Sequence, residues 1–113
     1  MSGQKLTKRE RINRSPEIRN IRVQGERFAV GPFQVSRKSN EKGPRLAIAI
    51  TRRAGPSVSR NRVKRKLREL FRKNKETFGC YDYFFFINRP VTALKEQDWK
   101  KNAGSIKEWC LKK

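Results

Sequence analysis

The chain has 113 residues, room for one domain and one core. Lys and Arg number 30 against 10 Asp and Glu, and a compact fold carrying a net +20 repels itself unless it meets a polyanion. No apolar run reaches the ~20 residues of a membrane span. Histidine is absent, and only Asp82 and Asp98 with scattered glutamates remain, which excludes the converging carboxylates of a protein-only two-metal nuclease.

In chain order, residues 1–14 are polar and basic and read as a mobile or loosely docked arm, with no apolar run of a secretory segment. A single domain is expected over 15–113. Ser15-Pro16-Glu17 opens a helix: Ser can cap, Pro suits the first helical position, and Glu favours the positive end of the dipole. Ile18 and Ile21, with Arg22 beside them, mark its inward side, and Gly25 is its stop.

Residues 27–36 are strand-like but interrupted by Gly31-Pro32, which points to an edge position, a bulge or a split strand. Residues 37–44 (RKSNEKGP) read as a hairpin connection. The next strand has Leu46, Ile48 and Ile50 on one face and small Ala47, Ala49 and Thr51 on the other, where a helix or a ligand could approach closely.

The loop AGPSVS can cap a helix expected from Arg60 to about Lys75, continued by Phe78. The apolar stripe of that helix is Val63, Leu67, Leu70, Phe71 and Phe78. Residues 81–88 (YDYFFFIN) are short and nearly all apolar, as in a strand buried on both faces. A last helix carries Trp99, Ala103, Ile106 and Cys110 inward, with Asp98 early and Lys112 and Lys113 late; Gly104 inside it costs about 1 kcal/mol relative to Ala. The order is α-β-β-α-β-α with a possible extra strand, one sheet covered by helices. Cys80 and Cys110 lack metal or redox spacing and are expected as free, packed thiols in a reducing cytoplasm.

Residues 52–76 hold eleven Lys and Arg against Glu69 and Glu76. With the apolar stripe turned to the core, the remaining arc should present most of these cations together. A solvated face would mix its signs and gain from i,i+4 pairs, whereas this one repels itself. Arginine forks grip phosphate bidentately, and Asn61 offers a donor and an acceptor to a base edge or a 2′-hydroxyl. A basic helix that needs its apolar face for a core does not suit a membrane surface. Nucleic acid is the expected partner. DNA reading by this helix would call for a dimer zipper or a helix-turn-helix partner, and neither is visible. The aromatic run 84–86 and both tryptophans are read first as core, with base stacking as the competing role.

Residues 47–72 (AIAITRRAGPSVSRNRVKRKLRELFR) resemble the signature region of the bacterial ribonuclease P protein component: a small-residue strand, basic residues, Gly-x-x-Val, then an Arg-Asn-Arg helix with Lys-Arg and a further Arg. YDYFFFINRP resembles the family's Asp-Tyr-hydrophobic-Arg-Pro strand, and RSPEIRNIRVQGERFA has the spacing of its first helix and turn. The resemblance implies an α/β (α+β) sandwich: one mostly antiparallel sheet in αβββαβα-like order, with the basic helix in a left-handed βαβ crossover. It implies contact with the catalytic RNA through Arg52, Arg53, Arg60, Asn61, Arg62, Lys64, Arg65, Lys66, Arg68 and Arg72. It also implies a cleft between the first helix and the sheet for the 5′ leader of precursor tRNA, with catalysis by the RNA and its Mg2+ and one monomeric protein per ribonucleoprotein. The family's cleft aromatics are replaced here by Ile18, Arg22 and Ser36, so leader recognition should either weaken or fall to Phe28, Phe33 and charge. The rival reading is a general or ribosomal RNA-binding protein outside tRNA 5′ processing.

Overall fold

The computed structural model describes residue 12 and residues 15–111; the rest of the 1–14 arm, and Lys112 and Lys113, lie outside the described residues. Helix α1 (Ser15–Gln24) leads into β1 (Glu26–Val30), β2 (Phe33–Ser39) and β3 (Arg45–Ile50). A short 3-10 turn, Arg52–Ala54, precedes α2 (Ser57–Lys73) and α3 (Lys75–Phe78), and β4 (Tyr81–Ile87) and α4 (Glu96–Leu111) complete the chain. The strands lie in the order β1-β2-β4-β3. β1–β2 and β2–β4 are antiparallel, and β3–β4 is parallel. The crossover between the parallel pair carries the basic helix.

Strand β4 explains this order. Its side chains are apolar on both faces, so both faces must be covered, and the centre of the sheet does that best. Tyr83, Phe85 and Ile87 join Phe33, Val35 and Leu46 under Val63, Leu67 and Phe71 of α2, Phe78 of α3, and Ile106 and Cys110 of α4. On the other face, Phe84 and Ala47 meet Ile21 of α1 and the buried Ile12, with Ile18, Ala49 and Phe86 at the margin. The Ile12 N–H also donates to the Leu46 carbonyl on the outer side of β3 (2.9 Å). The expected small-residue face therefore receives α1. The result is three layers: α1, the sheet, and α2 to α4.

Several local expectations are corrected. Residues 37–44 do not close a hairpin, because β4 inserts between β2 and β3. Strand β2 runs on to Ser39 and takes Arg37 into the core at 2% exposure. Its guanidinium donates to Glu26 (2.9 Å) and to the Cys110 carbonyl (3.0 Å), and it lies 4.4 Å from the rings of both Tyr81 and Trp109. Burial opposes its charge, but hydrogen bonds with Tyr83 and Glu26 outweigh that and hold its pKa above the ordinary arginine value. The interruption at Gly31-Pro32 is a two-residue hairpin turn between paired Val30 and Phe33, with Gly31 at φ 55 in the first position, as a II′-type turn requires. Helix α2 begins at Ser57 and ends at Lys73, where Asn74 (φ −128, ψ 36) breaks it, so Phe78 reaches the core from α3. Trp99, expected as an inward residue of the last helix, does pack against the core, edge-on to Phe33, while staying half-buried.

Helix α1 stops where a Cβ on Gly25 would collide with the main-chain carbonyls of Ile21 and Arg37, so the chain turns tightly into β1 there. The Ser15 side chain, expected to cap α1, lies outside the described residues. At the same end, Glu17 accepts from Arg45 (2.8 Å), whose guanidinium also grips Asp82 at 2.8 and 2.9 Å. Asn40 donates to the same carboxylate (2.6 Å). The Asp82 hydrogen bond is the main reason the Arg45 pKa stands above its ordinary value. This network fixes the start of α1 over the sheet.

Candidate RNA interface

A helix turns ~100° per residue, so the inward Val63, Leu67 and Phe71 dictate where every other α2 side chain goes. Asn61, Arg65 and Arg68 are exposed on the side opposite that stripe, with Lys64 and Arg72 half-buried beside them. The buried Nε of Arg72 has no hydrogen-bond partner among the described residues. Among the described residues no carboxylate pairs with this flank, which is therefore a strip of cations open to phosphate.

The flank toward α4 differs from the expectation of one uniformly basic arc. Lys66 donates to both oxygens of Glu96 (2.9 and 3.2 Å), and Arg62 stands 3.9 Å from the same carboxylate. Lys66 also lies 5.6 Å from the Trp99 ring centroid. The Lys66 hydrogen bond is the main influence holding the Glu96 carboxyl below the usual range. Lys73 does the same for Glu69, one turn away (3.0 Å). Arg60 serves the loop ahead of α2, donating to the Gly55 carbonyl (3.1 Å) and to the Ser57 hydroxyl (3.0 Å). Arg52 and Arg53 are exposed on the 3-10 turn.

A cleft of about 430 Å³ opens on the opposite face of the sheet, beside α1. Arg22, Arg27, Gln34, Ser36, Phe86 and Arg89 are among the residues lining it. The Arg22 guanidinium lies over two rings of the cleft floor, 5.7 Å from the centroid of Phe84 and 5.4 Å from that of Phe86. Arg27 donates twice to the Arg22 carbonyl (3.1 and 2.7 Å), tying β1 to the end of α1.

Of the expected leader residues, Arg22 and Ser36 line this cleft and Ile18 does not; it packs against the buried cluster of Ile12, Ile21, Ala47 and Phe84. Phe33 is corrected. It is fully buried on the far face, edge-on to Trp99 at 5.7 Å. Strand alternation decides this, because Phe33, Val35 and Arg37 point one way and Gln34, Ser36 and Lys38 the other. Phe28 touches the cleft, yet its ring stacks on Trp109 at 5.2 Å.

Among the described residues, no group of three or more His, Cys, Asp or Glu could hold a metal ion. Asp82 and Glu17 are both engaged by Arg45. No helix of the described residues is long and apolar enough to cross a membrane.

The family model described as "Ribonuclease P" matches residues 6–111. The chain belongs to the ribonuclease P protein family. The ribonuclease P protein component of Syntrophus aciditrophicus is 38% identical over 103 residues, spanning 89% of this chain and 87% of that protein. That of Macrococcus caseolyticus is 28% identical over 103 residues, spanning 89% and 90%. The Staphylococcus aureus RNase P protein superposes with a TM-score of 0.80 at 22% identity, covering 88% of this chain and 94% of that one. The Thermotoga maritima RNase P protein gives 0.65 at 24%, covering 88% and 89%. These two structures share the three-layer fold.

For this ribonuclease P protein, the sequence pointed to none of Arg27, Gln34 and Arg89 as cleft residues, and it ranked base stacking by Phe84 and Phe86 below a core role. A signal existed for the rings. Alternation along 81–87 places Phe84 and Phe86 on the face of the small residues Ala47 and Ala49, the side of the sheet that carries both α1 and the cleft.

Proposed function

We propose that this subunit of ribonuclease P binds the catalytic RNA along both flanks of α2, chiefly the carboxylate-free one, and holds the 5′ leader of precursor tRNA in the cleft beside α1. The observation that carries this reading is the placement of two cationic sites on opposite faces of one sheet, an arrangement suited to bridging two RNA strands. Asn61, Arg65 and Arg68 meet phosphates and sugar hydroxyls without leaving the helix, so little ordering is needed on binding. In the cleft, Arg22 offers a leader base a guanidinium plane already seated on Phe84 and Phe86, and its charge also suits a phosphate. Hydrolysis is assigned to the RNA and its Mg2+, with the protein as a monomeric 1:1 partner in the cytoplasm; the protein's part is to neutralise and position.

Reconstitution tests this. Protein freed of RNA should not cleave precursor tRNA, and adding the catalytic RNA with Mg2+ at moderate salt should restore leader removal. Metal-dependent cleavage by the RNA-free protein would refute the assignment.

A further inference from the structure

A groove runs between α2 and α4. Two cavities open along it, of about 410 and 40 Å³, and Arg62, Lys66, Glu96 and Trp99 line both. The bridge from Lys66 to Glu96 (2.9 and 3.2 Å) therefore stands between the two. Beside it lies an indole. Trp99 meets the Phe33 ring on its core side, 5.7 Å away, and the Lys66 ammonium lies over the same indole, 5.6 Å from the centroid.

Grooves that hold single-stranded nucleic acid combine these two elements: cations track the phosphates, and a base stacks on an aromatic ring. Here the ring is covered by an ammonium, and the cover is weakly held. The Lys66 and Glu96 side chains are 25% and 56% exposed, and an ion pair so open to water contributes little. Glu96 also stands in the first turn of α4, where the helix dipole favours an anion whichever molecule supplies it. A phosphate that takes its place near Lys66 and Arg62 draws the ammonium off the indole. The larger cavity is lined by Arg62, Arg65, Lys66 and Lys73 against Glu69 and Glu96, an excess of cations that selects a polyanion over an apolar peptide.

From this geometry we propose that Trp99 is a stacking platform for one unpaired base of the catalytic RNA, latched shut in the free protein by Lys66 and Glu96 and opened by the adjoining phosphate. The base enters the larger cavity, which has the volume of a small-ligand site. The proposal rests on the reading that RNA meets both flanks of α2. It makes an α4 residue part of the RNA interface and gives the Lys66–Glu96 bridge a role as a gate.

The test measures binding of the catalytic RNA by the full chain carrying Trp99→Leu or Trp99→Phe. Trp99→Leu should weaken binding by about fivefold to a hundredfold, the range for one base stacked on an aromatic ring. The slope of log K against log salt should stay unchanged, because no phosphate contact is removed. Trp99→Phe keeps a π-face and should recover most of the loss. Trp99 also packs against the core, so a second measurement leaves it in place. In Trp109→Phe, which keeps a ring beside Phe28, Trp99 is the sole indole. Its emission should be quenched by the catalytic RNA and become shielded from acrylamide, and Glu96→Gln in the same background should raise its acrylamide accessibility in the free protein. Wild-type affinity in Trp99→Leu, an equal loss in Trp99→Phe, or Trp99 emission indifferent to the catalytic RNA would overturn the proposal. The underlying reading is checked separately by Arg65→Ala and Arg68→Ala. If neither weakens binding of the catalytic RNA, α2 is not its site, whatever Trp99 does.

Discussion

Removing the Glu96 carboxylate should make RNA binding tighter at low salt and more salt-sensitive. Glu96 holds Lys66 through both oxygens and stands 3.9 Å from Arg62, so in the free protein it occupies the position a phosphate would take between two α2 cations. RNA docking on that flank must displace it, or leave both cations unused. Glu96→Gln keeps the side chain's shape and raises the net charge from the native +20 by one. If one or two further phosphates are then neutralised, the slope of log K against log salt steepens by about 0.9 to 1.8 for duplex RNA regions. Between 50 and 200 mM salt that corresponds to an additional loss of roughly 3-fold to 12-fold in affinity for the variant over the wild type. Binding of the catalytic RNA by filter retention or fluorescence across this range reads the difference directly, and the melting temperature should scarcely move because Glu96 is exposed. An unchanged or shallower slope would refute the reasoning and place the RNA on the opposite flank alone.

Leu67→Ala or Phe71→Ala should cost roughly 2–5 kcal/mol in chemical denaturation by opening cavities in the main core. Arg65→Ala and Arg68→Ala should leave the denaturation midpoint nearly unchanged and weaken RNA binding; the opposite pattern would mean that the helix faces are reversed. Ile18→Phe, which would be harmless if Ile18 lined an open cleft, should instead destabilise by about 1–3 kcal/mol, since it forces a ring against the cluster of Ile12, Ile21, Ala47 and Phe84. Arg22→Ala should lower the preference of the reconstituted enzyme for precursor over mature tRNA, most clearly at low salt, because the guanidinium over Phe84 and Phe86 is lost.

What the chain's own order determined is whatever repeats over a few residues. The alternation of Leu46, Ile48 and Ile50 with Ala47 and Ala49 specified both faces of β3, and the spacing of Val63, Leu67 and Phe71 specified which side of α2 turns inward. The Arg-Asn-Arg motif, the charge excess and the lack of histidine pointed to RNA without any tertiary contact being known. Partnerships between distant segments were decided by tertiary structure. Strand β4 took the centre of the sheet because its two apolar faces both had to be covered, and residues 37–44 lost their hairpin as a consequence. Arg37, polar and beside a turn-rich stretch, entered the core only because Glu26, the Cys110 carbonyl and two rings from remote elements meet there. Glu96 lies thirty residues from Lys66, and Arg89 comes level with Arg52 and Arg53 only through the parallel register of β3 and β4. Local periodicity records which face of an element is apolar; which element covers that face, and which charges are then brought together at its rim, depends on burial summed over the whole chain.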